Sequence, residues 1–399
     1  MDRDWNVVLV GGGGLQAQGV FEGAERGGHI DRWLAVDRAW RPEREADAAR
    51  FGVATRTLDV LGDPAALRDL ASSTRLMVNL AGPFYRTGGA ILDACIEAGT
   101  DYLDICDDAD ATLSLLERDE AAREAGVHAL LGMGASPGTT NIMVRTALDV
   151  LGSAAHADVC WSVDIHDMTP AQVWHFWHCF SLVAPDGTMT PVPDYDQLNV
   201  RTADFLEPVG PRQLVEMAHP EPVTLPRFLP IESVANFGSV VPSDPQYVLW
   251  ALARLGAASG ETVEIGGHED KVGDVAMALW EHYRANIVDP PYLGGGFLVE
   301  IHTNGDGYCF VSGADDITTQ ESTGGPAAAG IAMMLDGHVP GPGVFPAECL
   351  EPRLAWPALA RIGKGRGVIA LYRLEGGQRT EKLSIRTLVQ QGSRLAASG

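Results

Sequence analysis

The chain has 399 residues, with 29 basic against 53 acidic side chains and a formal net charge of −24. Domains usually run to about 100–200 residues, so two are expected, and 46% apolar with 21% charged residues excludes a disordered chain. The acid excess argues against nucleic acid and anionic membranes as partners. No basic-then-apolar leader opens the chain, and no apolar run approaches the ~20 residues of a membrane span, so a soluble, cytoplasmic protein is expected. Six scattered cysteines without a C-x-x-C pair imply neither a disulfide framework nor a zinc knuckle.

Along the first 130 or so residues, strand and helix signals alternate. Residues 6–10 form a short apolar run ended by four glycines, the pattern of a buried strand opening into a tight turn. Helices are expected at 15–26, 43–51, 63–71, 89–98 and 112–125, and strands at 33–37, 54–58, 76–80, 102–105 and 127–131. Such alternation means a parallel sheet covered on both faces. From 150 to 320 the texture changes to tryptophan- and proline-rich stretches with alternating runs such as 158–164 and 297–303, which indicate a second domain of antiparallel or mixed strands. Gly324-Gly325-Pro326 suits the start of a helix running to 335. Residues 366–385 resemble a hairpin turning at Gly376-Gly377, and His268-Glu269-Asp270-Lys271 a solvated turn.

The strongest local signal is Val7-Val8-Leu9-Val10 followed by Gly12-x-Gly14-x-x-Ala17. This is the dinucleotide fingerprint in its required place, after a strand and before a helix. The first glycine permits the tight turn, the second lets backbone approach the pyrophosphate, and the small third residue lets helix and strand pack closely. Leu15 and Gln16 then open a helix whose N-terminal N–H groups and dipole favour phosphate. The next strand ends in Asp37, placed to hydrogen-bond the adenosine ribose, which favours NAD; Arg38 directly after it keeps NADP open.

Ala81, Gly82, Pro83 and Phe84 end the fourth strand, at the edge where a doubly wound sheet binds its ligand, with Tyr85 and Arg86 just beyond. The fifth strand carries Asp104 and ends in Cys106-Asp107-Asp108. Gly134-Ala135-Ser136-Pro137-Gly138 spells the hydrolase elbow G-x-S-x-G, but Pro137 has no N–H to donate to an oxyanion, so that reading fails.

These phrases, together with Ala94-Cys95-Ile96-Glu97-Ala98-Gly99-Thr100-Asp101-Tyr102-Leu103-Asp104, Gly132 to Asn141, Thr323 to Ala328 and Gly343 to Glu348, resemble the saccharopine dehydrogenase-like family. The resemblance is specific through residues 1–145 and 320–350. It implies a Rossmann doubly wound sheet over 1–135, an inserted α+β substrate and dimerisation domain over 136–322, and a C-terminal segment, 323–399, returning to the first domain. It also implies nicotinamide hydride transfer at a carbon bonded to nitrogen, with Gly138, Thr139, Thr140 and Asn141 at the domain junction. The sequence departs from the family after Asp104, where Cys106-Asp107-Asp108 replaces a Gly-Glu pair.

In the second domain His175 and His178 stand out among aromatic residues that include Trp174. Both are candidate proton donors, with Asp104 as the site acid. Their i, i+3 spacing could hold a metal on a helix, but no third ligand has convincing spacing, so no metal is expected. Arg86 and Arg145 are candidate carboxylate clamps, and Thr323 either faces the site or caps a helix. The sequence thus reads as an NAD(P)-dependent oxidoreductase acting on the C–N bond of an amino acid or polyamine-like substrate, as a homodimer. Its rivals are a homospermidine synthase-like transferase that recycles its hydride, and a non-catalytic nicotinamide-binding protein.

Overall fold

The computed structural model describes residues 3–182, 188–242, 244–287, 292–363 and 368–398. The first domain runs β1 (Trp5–Val10), α1 (Leu15–Gly27), β2 (Trp33–Asp37), α2 (Pro42–Arg50), β3 (Ala54–Thr57), α3 (Pro64–Ser72), β4 (Thr74–Asn79), α4 (Phe84–Ala98), β5 (Asp101–Asp104), α5 (Ala109–Leu116), α6 (Asp119–Ala125) and β6 (His128–Leu131). Side chains alternate across a strand, so Val7 and Leu9 enter one core layer and Val8 and Val10 the other. That is why the run reads as continuously apolar: helices cover both faces.

Next come α7 (Thr139–Leu151), β7 (Ala154–Asp164), α8 (Pro170–Cys179), β8 (Val200–Asp204), β9 (Pro211–Glu216), α9 (Glu221–Phe228), β10 (Ile231–Val241), α10 (Asp244–Arg254), β11 (Thr262–Ile265), β12 (His268–Lys271), α11 (Val272–Asn286), β13 (Gly296–Thr303) and β14 (Asp306–Ser312). The chain closes with α12 (Thr319–Leu335), β15 (Gly343–Pro346), α13 (Pro352–Gly363), β16 (Ile369–Glu375), β17 (Gln378–Leu383) and α14 (Ile385–Ser398).

The first sheet is parallel in the order β15-β6-β5-β4-β1-β2-β3. Chain order reverses on either side of β1, which puts a ligand crevice at the C-terminal ends of β1 and β4. The second sheet is mixed, β17-β16-β14-β13-β7-β10-β9-β8, with β7 and β10 parallel over their whole length. The C-terminal segment is shared: α12 and β15 join the first domain, while β16 and β17 extend the second sheet. This is the expected Rossmann domain with a second, mixed-sheet domain. No described helix is long and apolar enough to cross a membrane.

Four local expectations are corrected. The helix expected at 89–98 starts at Phe84, and the fourth strand ends at Asn79, before Ala81 to Phe84. The helix expected at 112–125 is two helices, parted at Glu117 and Arg118, where Arg118 leaves the helical path to pair with Asp93 at 2.7 Å. His268–Lys271 is a strand of a hairpin with β11, and the turn lies at Gly266-Gly267. Helix α12 begins at Thr319, not at Gly325: Thr318 and Glu321 form a capping box. Thr323 is therefore inside the helix and caps nothing, and Gly324-Gly325-Pro326 serves packing instead. Of the expected hairpin at 366–385, residues 366–367 lie outside the described ones.

The packing in question is α12 on α1. A Cβ on Gly19 would stand 2.0 Å from the Gln320 carbonyl oxygen, and one on Gly324 would stand 2.7 Å from Gly19. Alanine has the better helix propensity, yet here it would force the helices apart. Gly19→Ala is expected to destabilise the protein by about 1–3 kcal/mol in chemical denaturation; an unchanged or raised midpoint would contradict this packing.

Candidate active site

The glycine turn is built against β2. The Val36 carbonyl accepts N–H groups from both Gly11 (2.8 Å) and Gly12 (3.0 Å), and a Cβ on Gly12 would lie 2.6 Å from that of Ala35. Gly14 is the N-cap of α1 and offers no side chain to the first turn, leaving its N–H groups for a ligand. Beside them Gln16 carries a buried Oε1 with no partner among the described residues. Asp37 accepts from the N–H of Gly13 (3.0 Å) and of Ala39 (3.3 Å), and Arg38, Arg41 and Arg44 line the same end of the crevice. A bare helix N-terminus, a turn with no room for side chains and flanking arginines fit the pyrophosphate and adenosine of a nicotinamide dinucleotide.

From this turn a cavity of about 1060 Å³ runs between the domains. Gly14, Leu15, Gln16, Asp37 and Arg38 line its outer part, and Ala81, Gly82, Pro83, Phe84 and Arg86 its middle. Thr139, Trp174, His175 and Thr323 line the part roofed by the second domain. The other expected residues stand behind the wall. Gly12 and Ala17 pack the turn. The buried Asp104 carboxylate is spent on the Tyr102 hydroxyl (2.9 Å) and the N–H groups of Cys106 (3.1 Å) and Gly132 (2.7 Å), and burial pushes its pKa up to about 6. Asn141 accepts from the Gly138 N–H and donates to Glu348, while Thr140 donates to Glu221. Arg145 is held by Asp149 and by the Glu348 carbonyl.

At the inner end two histidines meet buried carboxylates. Asp108 accepts from the Phe84 N–H at the start of α4 (3.0 Å), and its other oxygen lies 3.0 Å from His175 Nδ1; Asp107 stands 3.3 Å from the same nitrogen. Burial opposes charge on both partners, but each supplies the other's counter-charge. Asp108 is therefore held below the usual carboxylate range, and His175 well above the usual imidazole value. Facing His175, with ring centroids 5.5 Å apart, is His219. Its Nδ1 is 2.9 Å from Glu221, which accepts further bonds from Ser136, Thr140 and Asn236.

His175, Cys179 and His219 bring potential metal ligands within 4.8 Å of one another. However, the Cys179 sulfur is 3.1 Å from one ring nitrogen of His175 and 3.4 Å from the other. Near-equal distances put it over the ring face, off the in-plane lone pair that binds a metal. Burial also pushes the thiol up to about 12, which disfavours the thiolate ligand. Ser136, His219 and Glu221 were missed as site residues. The available signal was His219-Pro220-Glu221, an acid two residues from a histidine, in a stretch with no recognisable pattern.

A glycine turn on the central parallel strand, an acid ending the next strand and a second domain roofing the crevice define the class: an NAD(P)-dependent oxidoreductase. Residues 7–130 match the family model described as saccharopine dehydrogenase NADP binding domain. Carboxyaminopropylagmatine dehydrogenase of Synechocystis is 25% identical over 325 residues, 72% of this chain and 77% of the relative. The rat saccharopine dehydrogenase-like oxidoreductase is 28% identical over 149 residues, 33% of this chain and 34% of the relative. Among solved structures, saccharopine dehydrogenase (L-Glu forming) of Saccharomyces cerevisiae superposes with a TM-score of 0.58 at 14% identity, covering 93% of this chain and 100% of that one. Homospermidine synthase of Legionella pneumophila, in complex with NAD, does so with 0.61 at 10% identity, covering 94% of each. The two superpositions show a shared fold.

Behind the site, Glu348 is fully buried with Oε1 unpartnered among the described residues, and burial pushes its carboxyl from 4.5 up to about 7. The folded protein holds this proton where the unfolded chain has lost it. Stability therefore falls as pH rises from 4.5 to about 7, by about 3 kcal/mol from this group. Glu348→Gln is expected to flatten that slope and to be more stable than wild type at pH 8 in denaturant titrations. An unchanged slope would contradict the assignment.

Proposed function

We propose that the protein transfers a hydride between a nicotinamide dinucleotide and the carbon of a C–N bond, in an amino acid or polyamine-like amine. The observation that carries this reading is the pair of carboxylate-held histidines at the inner end of a cavity that begins at the dinucleotide turn. When bound, the nicotinamide supplies the hydride acceptor or donor. The chain's own residues then have to bind the amine, exclude water and manage two protons.

Binding follows from charge. Asp107 and Asp108 at the inner end outnumber the one charge of His175, and Trp161 and Trp174 line the same cavity, where an aromatic ring can take an ammonium group. Arg86, whose guanidinium lies 5.5 Å over the Tyr85 ring and which lines the cavity, is the side chain we assign to a substrate carboxylate. The relative named for carboxyaminopropylagmatine supports a substrate carrying both amine and carboxylate.

The two histidines have unlike environments, which is how one site holds an acid and a base. His175, set against two aspartates, keeps a proton and gives it to the imine nitrogen when hydride arrives at the carbon. In the oxidative direction hydride leaves the carbon, the proton leaves the nitrogen, and the C=N bond adds water and splits to a carbonyl and an amine. His219, with Nδ1 on Glu221, presents its other nitrogen as the base for that water.

The test is to titrate purified protein with NADH and NADPH by cofactor fluorescence. Amines, and oxo acids paired with amines, are then screened by nicotinamide absorbance. Binding and net oxidation or reduction are expected. His219→Asn is expected to lower turnover by about 10²–10⁴-fold at wild-type cofactor affinity, and full turnover would remove His219 from the chemistry. Turnover without net absorbance change would assign the recycled-hydride transferase instead, and binding without any turnover would overturn the enzymatic reading.

A further inference from the structure

His178 has no place in the chemistry above. It stands behind the cavity wall, three residues from His175 on the same face of α8, and its Nε2 is 2.9 Å from Asp110. Its ring stacks on Tyr85 with centroids 4.5 Å apart and planes at 23°. Tyr85 belongs to the first turn of α4, next to Phe84, whose N–H is held by Asp108. Two histidines of one helix thus meet three aspartates of one loop and helix start in the other domain.

What else joins α8 to the first domain decides how much those pairs matter. Its apolar side chains Val173, Phe176 and Trp177 all pack in the core of the second sheet, with Leu249, Leu252 and Trp280. Neither core layer of the first sheet contains an α8 residue among the described ones. Among the described residues, what joins α8 to the first domain is polar: His175 with Asp107 and Asp108, His178 with Asp110, and the stack of His178 on Tyr85. A seam of that kind is titratable, unlike a packed apolar one.

We propose that His178 is a positioning residue: with Asp110 it latches α8 onto the first domain, holds His175 against Asp108 and closes the cavity over the bound dinucleotide. The latch rests on reading the cavity as the dinucleotide site. His178 is faced by Asp110, Asp108, Tyr85 with Arg86 behind it, and His175. His175 is faced by Asp107, Asp108, Cys179 and His219. Burial opposes a charge on either imidazole, and the aspartates more than offset it, so both pKa values are raised in the closed form. The closed form therefore binds protons more tightly than the open one. Closure is fully supported below the ordinary imidazole value of about 6.5 and is lost as pH rises through the raised values.

The experiment is stopped-flow release of NADPH from the full chain, preloaded and then chased, at pH values from about 6 to 9. In wild type, release is expected to quicken by about tenfold across that range. Asp110→Asn is expected to release fast already at the low end. His178→Gln keeps a donor for Asp110 but cannot titrate, so it is expected to stay slow with a shallower pH dependence. A merely structural role would move thermal stability without moving these release profiles. Wild-type release that ignores pH, or an Asp110→Asn protein with the wild-type profile, overturns the latch. If Asp110→Asn does not fold, the wild-type profile and His178→Gln still decide. Failure of wild type to bind either NADPH or NADH in equilibrium titration overturns the dinucleotide reading itself, a result separate from any release profile.

Discussion

The buried carboxylate of Asp108 is the point on which both domains depend. One oxygen accepts the N–H of Phe84 and so fixes the first turn of α4, and with it the Gly82-Pro83 loop beside the glycine turn. The other holds His175 of α8, which grows from the second sheet. A charge 1% exposed persists only with a counter-charge and hydrogen bonds in place. Asp108 has both, and each comes from a different part of the chain. Both bonds are made by residues that line the cavity.

The cofactor half was legible in the sequence because its signals are local. Val7 to Val10 are apolar on both faces, Gly12 and Gly14 sit where backbone must pass, and Asp37 ends the neighbouring strand. The substrate half was not, because its partners meet through the sheet. His219 and Glu221 follow β9, and only the pairing of β9 with β10 and of β10 with β7 carries them beside His175. Asp104 shows the converse. A strand-end acid reads as a site residue, yet its carboxylate turns to the N–H groups of Cys106 and Gly132 and ties two strand ends together. The start of α12 was misread for a similar reason, since Gly324 answers to Gly19, about 300 residues earlier in the chain.

Charge acquires a direction in the folded protein. A chain of net charge −24 must still accept an anionic cofactor, and it gathers Arg38, Arg41 and Arg44 at the end where phosphates would lie. The acids converge at the other end, around the two histidines. The end where a dinucleotide would enter thus carries three arginines beside Asp37 and Asp59, while Asp107 and Asp108 line the inner end. A cationic substrate of the kind proposed above would meet the carboxylates at the inner end.

The account stands or falls on where the hydride goes. Reduced cofactor carrying deuterium on the transferred position should be incubated with the protein and pairs of oxo acid and amine, and the products read by mass spectrometry. The geometry predicts deuterium on the carbon bonded to the newly formed amine nitrogen. Deuterium on a carbon bearing only oxygen, or none transferred from bound cofactor to any product containing a C–N bond, would contradict it.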